Sequence, residues 1–134
     1  MNEPPKGYHR DSSFPNEAFV QRAIESHFAS NGWEAFDAHP TDFACRRPAT
    51  GECWHIEAKG KTTDVGLDFK TGLGQLLTRA TNPDAKYGMA VPDTPDFHKV
   101  CKAVPSWVRF ALSISWLFVS PEGAVRIVDP GQDL

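Results

Sequence analysis

The chain has no apolar run near the roughly 20 residues needed to span a bilayer, and no apolar leader at its N-terminus. Those two absences predict a cytoplasmic protein. Cysteine is sparse: Cys45, Cys53 and Cys101 make an odd set with no Cys-x-x-Cys pair. That excludes a disulfide scaffold and suits a reducing compartment. Cys45 and Cys53 could approach across a hairpin, but two thiols alone do not make a zinc site, and buried inert cysteine is the simpler expectation. Excess positive charge is also missing, with 14 Lys and Arg against 17 Asp and Glu and a net charge of −3. The balance argues mildly against a polyanionic partner, although Arg46, Arg47, Lys59, Lys61 and Lys70 gather around one stretch. There is no phosphate-cradling Gly-x-x-x-x-Gly-Lys-Ser/Thr loop, dinucleotide fingerprint, His-Glu-x-x-His run or Gly-x-Ser-x-Gly elbow, which sets aside the corresponding nucleotide, metalloprotease and acyl-transfer chemistries. Internal repeats and low-complexity tracts are absent as well.

What is present is an ordinary globular composition, 40% hydrophobic and 23% charged over 134 residues, the size of one domain. Residues 1–12, with Pro4, Pro5 and Gly7, have no periodicity and read as a flexible arm; residues 13–134 read as the domain. Ser13 and Pro15 open a helix with Glu17 in its first turn. Phe19, Val20, Ala23, Ile24 and Phe28 recur at helical spacing, and Asn31-Gly32 stops it. Three strands are predicted next, over residues 33–38, 42–46 and 52–59, as an antiparallel meander. A second helix is expected over 68–80 with Leu73, Leu76, Leu77 and Ala80 inward. Gly72 and Gly74 weaken it unless close packing or a ligand needs them. A strand over 86–91 follows. Then comes a helical region with Phe97, Val100, Cys101 and Val104 inward, which Pro105 splits. A final hairpin runs over 116–119 and 124–128. The whole is a mixed α/β sheet flanked by helices.

The chemistry concentrates between Thr41 and Lys59. Alternation along a strand puts His55, Glu57 and Lys59 on one face and the apolar Trp54, Ile56 and Ala58 on the other. Asp42 belongs to the preceding strand, so two acids and an ammonium should meet at one edge of the sheet. Mg2+ or Mn2+ prefers oxygen ligands and keeps several waters. Asp42, Glu57 and a backbone carbonyl near Ala58 suit it as a donor set. Lys59 would then orient or deprotonate the attacking water, or stabilise a phosphate. The reaction class is metal-assisted phosphodiester hydrolysis. His55 shares the Glu57 face, and a hydrogen-bonded structural role is its simpler reading.

The pattern Asp42…Glu57-Ala58-Lys59, after a helix bearing Glu17 and before a helix bearing Gln75, resembles the PD-(D/E)xK nuclease superfamily over about residues 13–91. Within it, the early helical glutamate and the small size are similar to the Holliday-junction-resolvase and Mrr-type branches. The resemblance implies a restriction-endonuclease-like mixed sheet with an αβββαβ core, here extended by a further helix and a C-terminal strand pair. It implies that Asp42 and Glu57 are metal ligands, that Lys59 is the catalytic lysine, that Glu17 assists the metal and that Gln75 stands beside the site. One departure is that Asp42 follows Thr41, with Pro40 one position earlier. Arg46, Arg47, Lys61, Lys70 and Arg79 are the candidate contacts to a nucleic-acid backbone.

Three functions compete. The first is a Mg2+-dependent endonuclease acting on DNA, as a possible homodimer or as a subunit of a larger nuclease assembly. The second is a non-catalytic nucleic-acid-binding or assembly module on the same fold. In the third, the acids and lysine co-occur by chance, and Asp42 and Glu57 do not converge. Geometry separates the third from the others.

Overall fold

The computed structural model describes residues 12–134. The expected N-terminal arm, apart from Ser12, lies outside the described residues. Helix α1 covers Glu17–Ser30. It starts later than Ser13 because residues 13–16 form a turn, with the Asn16 amide donating to the Ser13 carbonyl at 2.9 Å. Its buried residues are Val20, Ala23, Ile24 and Phe28, the i, i+3, i+4 stripe that the sequence shows. It ends at Asn31, and Gly32 takes φ +85°, a conformation glycine adopts without steric cost.

The strands are β1 (Glu34–Phe36), β2 (Phe43–Arg46), β3 (Cys53–Ala58), β4 (Lys86–Pro92), β5 (Ile114–Val119) and β6 (Val125–Val128). They form one six-stranded sheet in sequential order. β1, β2 and β3 are the antiparallel meander, β3–β4 and β4–β5 are parallel, and β5–β6 is an antiparallel hairpin. The parallel steps need crossovers, and helices supply them. These are α2 (Val65–Thr78) between β3 and β4, and α3 (Pro95–Lys102) with α4 (Ser106–Leu112) between β4 and β5. Two right-handed crossovers running the same way along a sheet leave their helices on the same face, so the other face is left to α1. Pro105 sits at the N-cap of α4, where its missing N–H breaks no helical hydrogen bond. This is the mixed, helix-flanked architecture that the element order predicts.

The core accordingly has two layers. On one side Val20, Ile24 and Phe28 pack on Phe43, Cys45, Trp54 and Ile56. On the other, Phe69, Leu76, Phe97 and Cys101 pack on Tyr87, Met89, Val91 and Trp116. Cys45 and Cys53 are separated by this arrangement. Cys45 pairs with Trp54 in the α1 layer, while Cys53, one residue out of step, packs against the α2 layer. Burial pushes the Cys45 and Cys101 thiols up to about 12, which keeps them protonated and unreactive.

Helix α2 departs most from expectation. It begins at Val65 because Asp64 caps it, accepting the Leu67 amide at 3.1 Å. Its buried residues are Phe69, Gly72 and Leu76, whereas Leu77 is 42% exposed and Leu73 only half-buried. The inward stripe runs through a glycine, which a count of apolar side chains passes over. Ala80, the fourth expected inward residue, is exposed beyond the helix end.

One further contact fixes where α1 starts. A Cβ on Gly60 would lie 2.0 Å from the Glu17 nitrogen and 2.5 Å from the Asn16 carbonyl carbon. The Lys61 amide donates to the Pro15 carbonyl at 2.9 Å. The chain leaving β3 is thus pressed against the first turn of α1, and both partners are backbone with no freedom to yield. Gly60→Ala should therefore destabilise the fold by about 2 kcal/mol, an ordinary overpacking cost. Gly74→Ala, where a Cβ meets nothing within 4 Å, should stabilise α2 by about 1 kcal/mol. Urea denaturation of the two variants beside the parent checks both signs.

Candidate active site

Asp42 stands one residue before β2. The register Phe43↔Ile56, carried one step further, puts it directly across from Glu57, where facing Cβ atoms are about 5 Å apart. Phe43 and Ile56 face α1, so alternation turns Asp42 and Glu57 together toward α2. Asp42 is held from two directions. The Gln21 side chain of α1 donates to the Asp42 carbonyl at 3.1 Å, and Asp42 Oδ2 accepts the Ala58 amide at 2.9 Å. The two carboxyl groups are close enough to act on each other's protonation. Glu57 is not at an open sheet edge, as alternation alone suggests, because α2 covers that face, whereas Asp42 is exposed. Glu57 is only 2% exposed.

A buried carboxyl beside another carboxylate cannot readily ionise. Burial, first, and then the charge and hydrogen bond of Asp42 push Glu57 up from 4.5 to about 7, against the pull of Arg79. Arg79, at the C-cap of α2, gives Nη1 to Glu57 Oε1 at 2.6 Å and to the Pro40 carbonyl at 3.1 Å. It supplies the positive charge that the acid pair needs.

Lys59 follows on the same face of the chain. Its amide donates to the Ala90 carbonyl at 2.9 Å, and its aliphatic stem crosses α2 at Gly72. A Cβ there would lie 2.6 Å from Lys59 Cε. The glycine in the inward stripe of α2 is therefore the seat of the lysine. Gln75 is half-buried one turn before Arg79, and spacing puts Gly72, Gln75 and Arg79 along the β3-facing side of the helix. Glu17 is exposed, but its backbone lies against Gly60, so the start of α1 is brought alongside the end of β3.

The other candidates fall elsewhere. Arg46 ends β2 and Arg47 follows it, about 13 and 16 Å from Asp42 at 3.3 Å per residue. They rest over the rings of Phe36 and Trp33, at 5.2 and 4.6 Å. Lys61 pairs with Asp96 at the surface, and Lys70 rims a groove between α2 and α3. Of the five basic residues singled out by sequence, only Arg79 touches the acid pair. His55 stacks on Tyr87 at 5.6 Å, and burial lowers its pKa, which makes it a packing residue. Sequence reasoning missed that Arg79 partners Glu57 and that Gly72 seats Lys59. Only the helical spacing of Gly72, Gln75 and Arg79 hinted at either.

Among the described residues no group of three or more His, Cys, Asp and Glu converges on a common point. That donor set does not suit zinc, which prefers nitrogen and sulfur in a closed shell. Two adjacent carboxylates are what an octahedral Mg2+ uses when waters and phosphate oxygens complete its shell. The residues present fit that ion.

The sheet order and the flanking helices are those of a restriction-endonuclease-like fold. Two solved structures share it. A XisH family protein from Nostoc punctiforme is 15% identical with TM-score 0.56, covering 80% of this chain and 95% of its own. An fdxN element excision controlling factor protein from Anabaena variabilis is 18% identical with TM-score 0.59, covering 81% and 96%. No protein-family model matches the chain, and neither does any curated protein. No helix among the described residues is long and apolar enough to cross a membrane.

The raised Glu57 gives a signed prediction. An acid whose native pKa exceeds its unfolded value keeps its proton longer in the folded chain. Stability therefore falls as pH rises from about 4.5 to about 7 and stays low above that. Asp42→Asn can still accept the Ala58 amide but removes the repelling charge. It should stabilise the metal-free protein by about 1 kcal/mol at pH 8.5, roughly one unit of relieved pKa, and change little at pH 4.5. Urea denaturation in EDTA at the two pH values measures the difference.

Proposed function

We propose that the chain is a divalent-metal-dependent nuclease that hydrolyses phosphodiester bonds of DNA as an endonuclease. The observation that carries this reading is the convergence of Asp42 and Glu57 from different strands beside Lys59, at the end of β3. A fold needs no buried Glu57 set against a second carboxyl, and burying it is costly. The similarity to an element excision controlling factor supports DNA as the substrate class, since excision is a process of breaking and rejoining strands.

In this reading Asp42 and Glu57, with the Ala58 carbonyl, hold Mg2+ or Mn2+. When bound, the ion supplies Lewis-acid charge to the attacking water and to the phosphate. The chain's own residues do the rest. Lys59, whose stem lies on Gly72, would turn its ammonium to the acid pair on binding, to position the water and offset charge on the phosphoryl oxygens. Gln75, on the same side of α2, is placed to hydrogen-bond the water or the phosphate. Glu17, whose backbone lies against Gly60, would assist through a water, since it closes no three-acid cluster with Asp42 and Glu57. Arg79 offers a guanidinium to the phosphate backbone, as Lys61 and Lys70 do from the adjoining surface.

A second reading, a non-catalytic nucleic-acid-binding or assembly module, is favoured by one specific contact. Arg79 already neutralises Glu57, as it would in a chain that never takes up a metal.

Cleavage of supercoiled, linear, junction and single-stranded substrates with Mg2+ and with EDTA separates the two. The nuclease reading expects cutting that EDTA abolishes, and a loss of at least about 100-fold in Lys59→Ala, the scale of removing one electrostatic donor. Asp42→Ala and Glu57→Ala should lose calorimetric Mg2+ binding. Metal-independent DNA binding without cutting would establish the module instead.

A further inference from the structure

We propose that Arg79 is the internal counter-cation of the acid pair. The site admits a divalent ion only as Arg79 is drawn off, so metal and phosphodiester bind cooperatively. The inference rests on reading Asp42 and Glu57 as the cation site.

The backbone of Arg79 is fixed where α2 ends, its amide donating to the carbonyls of Gln75 and Leu77. Only the side chain is free to move. A single nitrogen, Nη1, serves both Glu57 Oε1 at 2.6 Å and the Pro40 carbonyl at 3.1 Å. The guanidinium thus spans the gap between β3 and the loop that delivers Asp42. The side chain of Glu57 is 2% exposed and that of Arg79 27%, so of this pair the arginine is the member that faces solvent. An ion arriving from water can reach the exposed Asp42, but at Glu57 it meets a positive charge that is never lost by deprotonation, held by a short charge-assisted hydrogen bond. Two cations within a few ångströms repel, and Glu57 Oε1 cannot serve both at full strength. Metal alone should therefore load weakly.

A phosphodiester changes the balance. The planar fork of a guanidinium matches two phosphate oxygens, and the partial exposure of Arg79 lets an anion reach it. Once Arg79 turns to the phosphate, Glu57 Oε1 is freed of the guanidinium that occupies it and can serve the divalent ion at full strength. By linkage each ligand then tightens the other to the same degree. The rival view is that Arg79 is a strap. There it holds Glu57 and the Pro40 carbonyl in place for the ion, and its loss would weaken metal binding.

Calorimetric titration of Mg2+ into the parent protein and into Arg79→Met, each alone and with a phosphorothioate DNA duplex that resists cutting, separates these. We expect Arg79→Met to bind Mg2+ alone at least about tenfold tighter than the parent. The duplex should tighten the parent by at least about tenfold and the variant by less than about threefold, within the usual range of coupling between two sites. Equal or weaker Mg2+ binding in a folded Arg79→Met protein overturns this proposal and leaves the cation site standing. No Mg2+ binding in either protein, with or without duplex, overturns both. Should the variant not fold, the parent still decides. Its Arg79 side-chain N–H resonances must shift when Mg2+ and duplex are added together, and their staying unchanged while both bind overturns the proposal.

Discussion

Two carboxyl groups set side by side, one exposed and one buried beneath a helix, make a demand that the rest of the fold is arranged to meet. Asp42 and Glu57 are opposite one another by strand register, and α2 shields Glu57 from water. Like charges so placed must be relieved by a proton, by a cation from the protein or by a cation from solution. The chain provides the first two. Glu57 holds its proton up to about pH 7, and Arg79 reaches across from the end of α2. The third is what the proposed activity requires. The residues that keep the acids together are thus also the ones that set how a metal is received.

Close backbone approach is the second theme. Gly60 lets the end of β3 press against the first turn of α1, and Gly72 lets Lys59 lie flat across α2. Each brings a helix nearer to the acid pair than a side chain would allow. Gln21 of α1 then reaches the Asp42 carbonyl. Placement of the site is therefore spread over both faces of the sheet, although its acids and lysine all come from one hairpin.

Much of this was legible in the sequence, and the reasons differ by element. The α1 stripe, the meander and the α3–α4 break at Pro105 rest on local signals, namely periodicity, turn residues and a missing N–H, which act wherever they occur. The Asp42–Glu57 pairing was legible because register follows from the short turn between β2 and β3. Helix α2 was not. Its inward face includes Gly72, which carries no hydrophobic signal, so Leu77 was assigned inward in its place. The partner of Glu57 was hidden for a different reason. Arg79 lies 22 residues away, and only the crossover geometry brings it back over β3. Arg46 and Arg47 show the converse error. They are near Asp42 along the chain, yet an extended strand carries them to the opposite end of the hairpin, where they cover aromatic rings.

The two outer strands are short, three residues in β1 and four in β6. An outermost strand of that length offers few unpaired amides and carbonyls for another chain to dock against. Edge-to-edge growth of the sheet from one molecule to the next therefore has little to hold on to. Among the described residues the large exposed apolar side chains lie mostly on helices instead, Trp107, Phe110 and Leu112 on α4 and Leu67 and Leu77 on α2.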